Sequence, residues 1–167
     1  MTDTNYLEWP MFVRFVQQWA KDRNLTSSTV RAQALKGLSE LGELADNLAK
    51  GKCIKDDVGD NCVVAVIVDL LNAVPSHIQQ GCARDITPAE IVGDAAYDWG
   101  YYLCENSPTH SDIPDLMWEL CQKLDVVFEE CLATAWNDIK DRKGVLYEGV
   151  FIKDTDPRYA EVIKLLR

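Results

Sequence analysis

The segment "CVVAVIVDLLNAV", from Cys62 to Val74, limits what this chain can fold into more than any other stretch. Its apolar side chains fall on nearly every side of a helical wheel. A helix of that kind is buried all round rather than along one stripe. Asp69 and Asn72 interrupt the run, and it falls short of the roughly 20 apolar residues that cross a bilayer. The rest of the chain must therefore supply a sleeve of other elements. With 167 residues and 47% hydrophobic side chains, there is material for one domain with a substantial core.

Those other elements read as helices, and strand signals are nearly absent. In "WPMFVRFVQQWAKDRN", Pro10 sits in a first turn, and Phe12, Phe15, Val16 and Trp19 recur at helical spacing. "LTSSTVRAQALKGLSELGELADNLAKG" opens on Ser/Thr caps and closes on Gly51, suited to the left-handed position after a helix. The buried helix should begin near Ile54 and run to about Gln80, with Pro75 kinking it or ending it early. Thr87, Pro88 and Glu90 form a capping box with proline at the first helical position. "SDIPDLMWELCQKLDVVFEECLATAWNDIKDRKG" opens in the same way and can stay helical to about Arg142. "VLYEGVFIKDTD" breaks the pattern as a loop or short hairpin, and Asp156-Pro157 starts a last short helix. No repeat, low-complexity stretch or linker divides the chain. The expectation is one all-α domain over residues 1–167, a bundle of about five to six helices.

Two acidic pairs precede the buried run. Glu40-Leu-Gly-Glu43 and Asp57-Val-Gly-Asp60 each place two carboxylates on one helix face, with Lys36 a turn before Glu40. If the two helices pack antiparallel, the four acids converge. Four uncompensated carboxylates repel one another, and a hard divalent cation such as magnesium removes that cost. Gly42 and Gly59 each weaken a helix by about 0.5–1 kcal/mol, which suits a place where another backbone or a ligand comes close. The plain alternative is a solvated helix face: the apolar stripe Val30, Ala34, Leu38, Leu41, Ala45 and Leu48 lies roughly opposite Glu40 and Glu43. Asp57, Asp60 and Asn61, however, stand at the mouth of a buried helix, where acids need partners.

These residues carry a resemblance. "SELGELADNLAKG…IKDDVGDNCVVAVIVDLL", within residues 30 to 75, resembles the core of the MazG-like all-α nucleoside triphosphate pyrophosphohydrolases, whose pattern is ExxE followed by ExxD. Asp57 stands where the family usually has glutamate, one methylene longer, and Ser39 replaces a common acid. "ATAWNDIKDRKGVLYEGVFIKDTD" is similar to the family's asparagine, lysine and arginine region, through Asn137, Lys140, Arg142 and Lys143. The resemblance implies a four-helix metal-binding core and Mg2+-dependent hydrolysis of a nucleotide to the monophosphate and pyrophosphate, with Mn2+ able to substitute. Glu40, Glu43, Asp57 and Asp60 would be the catalytic metal ligands, one of them also orienting the attacking water. Lys36, Asn61, Asn137, Lys140, Arg142 and Lys143 would bind substrate. Assembly as a homodimer or homotetramer is expected, with the basic segment acting in cis or in trans. The rival functions are a nucleotide sensor that does not cleave and a helical interaction module.

A net charge of −10 argues against a nucleic-acid binder, which shows a basic face. No basic segment leads into an apolar run near residue 1, so a cytoplasmic, membrane-free protein is expected. The six cysteines include no CxxC pair and read as reduced, mostly buried thiols. His77 and His110 support no triad. Trp136 reads as core, and Asp94 with Asp98 as a solvated face.

Overall fold

A computed structural model of the chain describes residues 4–81, 83–105 and 108–166. Among these, seven α-helices and one small hairpin make an all-α fold. The helices are α1 (Trp9–Asp22), α2 (Val30–Ala49), α3 (Lys55–Asn72), α4 (Pro88–Cys104), α5 (Ile113–Leu124), α6 (Phe128–Ile139) and α7 (Tyr159–Leu165). A 3-10 turn, Leu25–Ser27, joins α1 to α2, and strands β1 (Gly144–Tyr147) and β2 (Val150–Lys153) lie between α6 and α7.

The apolar run behaves as its composition demands. Every residue from Asn61 to Asp69 is buried, and α1, α2, α5 and α6 pack around α3, with α4 laid over α2 and α5. Each valine, leucine or isoleucine withdrawn from water in this way contributes about 1.5–3 kcal/mol. Two of the contacts depend on the absence of a side chain. A Cβ on Gly59 would come within 2.4 Å of the Cys131 carbonyl oxygen on α6, and one on Gly37 within 2.4 Å of the Trp99 indole on α4. Gly59 is thus spent on a close backbone approach, as its place in the acidic motif suggests. Gly42 has nothing within 4 Å.

Helix ends account for most departures from the expected boundaries. α2 stops where Gly51, at φ 63°, takes the left-handed position and gives its N–H to the Leu48 carbonyl at 3.1 Å. α3 ends the same way at Asn72 instead of near Gln80. Ala73 adopts φ 56°, and the Val74 N–H reaches back to the Asp69 carbonyl at 3.0 Å. Pro75, two residues on, cannot rejoin the helix. The helix expected to reach Arg142 is divided, because Asp125 at φ 55° closes α5 before Phe128 opens α6. The Thr87–Glu90 capping box of α4 is complete, whereas α5 has no side-chain cap from Asp112, and the Ser111 hydroxyl accepts the Ile113 N–H at 3.2 Å instead.

The hairpin turns through Glu148 (φ 48°) and Gly149 (φ 78°), two consecutive positive φ values that match the twist of paired strands. β1 is tied to the α1 end: the Leu146 N–H donates to the Arg23 carbonyl at 2.8 Å, and the Asn24 amide donates to the Leu146 carbonyl at 2.9 Å. Val145, Ile152 and Val162 close a small second core under α7. Of the cysteines, Cys62, Cys121 and Cys131 are buried while Cys53 and Cys104 are exposed, and Cys82 lies outside the described residues. Trp136 is core, stacked on Phe15 with ring centroids 5.1 Å apart. No helix among the described residues is long and apolar enough to cross a membrane.

Candidate functional site

The inward face of α2 is rotated from the expected stripe. Ala34, Gly37, Glu40, Leu41 and Leu44 are the buried positions, so Glu40 lies inside and not opposite the core. Its carboxylate is ion-paired to Lys36, one turn back on the same helix. Across from it, in the first turns of α3, stand Asp56 and Asp60. Asp60 is mostly enclosed and its carboxyl is pushed up to about 7, first by burial and then by the negative charges of Asp56 and Glu40. Asp56 is raised as well, by burial and then by Asp138 and Asp57. Asp138 belongs to the last turn of α6 and is ion-paired to Arg142, whose positive charge partly counters the rise at both Asp56 and Asp60. The Arg23 guanidinium donates to the Arg142 carbonyl at 2.7 Å and holds this corner to α1.

The four carboxylates of the two motifs are therefore divided. Glu40 and Asp60 share the acidic corner, together with Asp56 and Asp138. Asp57 is buried against α2, where the Asn47 amide donates to both of its oxygens at 2.9 and 3.1 Å. Glu43 is exposed and, with Ser39, Gly42, Asp46 and Asn47, lines a shallow hollow of about 350 Å³ on the outer face of α2. Among the described residues, no three His, Cys, Asp or Glu side chains are grouped as a metal ion would require.

The polar residues around the motifs are placed as follows. Asn61 is fully buried, donating to the Asp57 carbonyl at 2.9 Å and accepting the Trp99 indole N–H at 3.2 Å. Asn137 clasps the backbone of Thr4 and accepts from the largely buried Lys140 ammonium at 3.0 Å. Arg142 and Lys143 are exposed at the mouth of the hairpin. Asp56 and Asp138 escaped the motif reading, yet each had a signal: Asp56 is one turn before Asp60, and Asp138 one turn before Arg142.

Asp94 and Asp98 are not the solvated pair expected. Asp94 is exposed and salt-bridged to Arg84, but Asp98 is mostly enclosed, accepts the Ser111 hydroxyl at 3.0 Å, and is raised to about 6, chiefly by burial. The packing of the 108–112 segment against α4 is what covers it. His77 and His110 meet edge to face, ring centroids 5.8 Å apart.

Comparison with known proteins adds one relative. The chain is 41% identical, over 71 residues, to a Haemophilus phage HP1 (strain HP1c1) protein described as "Uncharacterized 18.2 kDa protein in rep-hol intergenic region". That match takes in 41% of this chain and 44% of the phage protein. No family model matches the chain, and no solved structure matches it.

Proposed function

We propose that the chain is a metal-dependent pyrophosphohydrolase of the MazG-like type, cleaving a nucleoside triphosphate or a related nucleotide to the monophosphate and pyrophosphate. The observation that supports this reading is that Asp60, at the mouth of a buried helix, is within electrostatic reach of Asp56 and Glu40 and of the Asp138–Arg142 pair. Carboxylate oxygens are the donors that magnesium or manganese takes, and their mutual repulsion is what a cation relieves. Bound there, the ion would offset phosphate charge and lower the pKa of a bound water. In this reading Glu40 and Asp60 hold it, with Glu43 and Asp57 completing the set when their side chains turn inward.

The chain's own cations do the remaining work. Lys36 and Arg142 are each parked on a carboxylate and re-pair with phosphate oxygens, Arg142 by its two-pronged guanidinium. Lys143, exposed beside the hairpin, and Lys140, steadied by Asn137, extend the positive edge. A working homodimer or homotetramer in the cytoplasm belongs to the same proposal. Exposed Met11 and Phe15, one turn apart on α1, are apolar groups available for such a contact. The second reading, a sensor that binds nucleotide without cleaving it, draws on the separation of Glu43 and Asp57 from the acidic corner.

The test is pyrophosphate release from a panel of nucleotides in the presence of magnesium. Turnover that is lost in EDTA, in Glu40→Gln and in Asp60→Asn, with helical content unchanged, supports the hydrolase. Nucleotide binding without release of pyrophosphate from any member of the panel selects the sensor.

A further inference from the structure

A second hollow lies beyond the far end of α3. Residues within 74–81, Arg84, residues 108–110, one stripe of α4 and one stripe of α5 line a cleft of about 1010 Å³. Counted along α3 at 1.5 Å per residue, it is roughly 20 Å from Asp60. The α4 stripe is Asp94, Tyr97, Asp98 and Tyr101, at the spacing of one helix face. α5 and the turn before it supply Asp112, Asp115, Trp118 and Glu119. Acid and aromatic groups are interleaved on both walls.

The charges of this cleft do not balance. Arg84 is engaged on both sides, with Asp94 at 2.8 Å and Glu119 at 2.6 Å, and so ties the α3–α4 connection to the two walls. That leaves Asp98, Asp112 and Asp115, opposed only by the histidines His77 and His110. Asp112 lies 3.6 Å from His110 Nε2, while Asp98 and Asp115 receive neutral donors, the Ser111 hydroxyl and the Gln79 N–H. A further acid stands behind the wall. Asp69 is fully buried, with one oxygen accepting the Ser111 N–H at 2.8 Å and the other beside the Ser76 hydroxyl without the geometry of a full hydrogen bond. Stacked layers of acid at the end of a buried helix are costly unless a positive charge stands in front of them. Tyr97, meanwhile, is 80% exposed, a large ring held in water at the edge of the cleft.

A compact metal ion does not suit this arrangement, since Asp98 and Asp115 already accept from the Ser111 hydroxyl and the Gln79 N–H, and Asp112 stands beside His110. The acids are spread along the cleft, between aromatic faces. An extended organic cation matches that spread, with ammonium heads beside carboxylates and methylene stems along the rings. We propose that the cleft binds an aliphatic polyamine, its stem between Tyr97, Tyr101 and Trp118 and its charges on Asp98, Asp112 and Asp115. The inference is independent of the hydrolysis proposed for the other end of α3.

Titration calorimetry of the full chain at physiological salt tests it, with spermidine, 1,5-diaminopentane and the uncharged isostere pentane-1,5-diol. Spermidine should bind saturably, the diamine more weakly, and the diol not at all. Tyr97→Ala and Asp112→Asn alter exposed side chains, and each should weaken spermidine binding by about fivefold or more. Glu161→Gln removes one carboxylate from α7 and should leave the affinity unchanged. No saturable binding of spermidine, or an equal loss in Glu161→Gln and Tyr97→Ala, overturns the proposal. A lysine-rich peptide that binds more tightly than spermidine overturns the choice of a free polyamine and assigns the cleft to peptide lysines.

Discussion

Replacing Asp60 with asparagine should stabilise the folded protein at alkaline pH and do little at acid pH. The side chain keeps its shape and loses only the ability to ionise. In the folded chain the Asp60 carboxyl titrates near 7, raised by burial and by Asp56 and Glu40, whereas in the unfolded chain it returns to the ordinary value near 4. The unfolded state therefore releases this proton first as pH rises. Wild-type stability is undiminished below about pH 4, falls between about 4 and 7, and levels off above the folded value. The full displacement sets a ceiling of about 4 kcal/mol. Asp60 is not wholly enclosed, and water screens part of that penalty, so the expected gain of Asp60→Asn is about 1–2 kcal/mol at pH 8.5. For a chain of this length, that raises the melting temperature by about 3–6 °C. Urea denaturation of both proteins at pH 4, 5.5, 7 and 8.5, without added metal, gives the difference directly. It should be small at pH 4, grow through 7 and then hold. A difference that does not vary with pH, or a variant less stable than wild type at pH 8.5, refutes the reasoning that the corner is an electrostatic burden on the fold.

Three further outcomes follow from packing. Gly59→Ala sets a methyl against the Cys131 carbonyl and should cost about 1–3 kcal/mol, whereas Gly42→Ala points into open space and should add about 0.5–1 kcal/mol; thermal melts of the two variants should shift in opposite directions. Asn47→Ala removes both donors from the buried Asp57 carboxylate and should cost about 1–3 kcal/mol at pH 7, read by urea denaturation. Arg84→Met frees the α3–α4 connection from Asp94 and Glu119, and limited proteolysis should then cut within residues 74–87 faster than in wild type, with the helical circular dichroism unchanged.

Much of the fold was legible because its signals are local. The run from Cys62 to Val74 demanded a surrounding sleeve, and α1, α2, α5 and α6 provide it. Gly51 ends α2, the Thr87–Glu90 box opens α4, and two residues with positive φ turn the hairpin, each a matter of backbone chemistry within a few residues. The helix stop at Ala73 was hidden, since alanine does not favour the left-handed conformation that it adopts there, whereas Asp125, of a residue type that does visit it, went unread.

The site divides along the same line. The two acidic pairs could be named from spacing, because helical periodicity decides which residues share a face. Asp56 and Asp138 went unnamed, and the roles of Lys140, Arg142 and Lys143 rested on the family resemblance. Which face turns inward is a property of the partners. α2 is rotated so that Glu40 is buried and Glu43 is not, because Gly37 lets the Trp99 indole of α4 press against that side and α3 takes the other. Asp138 enters the acidic corner only because Gly59 lets α6 approach α3 closely. Periodicity along one helix carries no information about how far that helix is rolled against its neighbours, and that roll, decided by contacts between residues far apart in the chain, determines which acids meet.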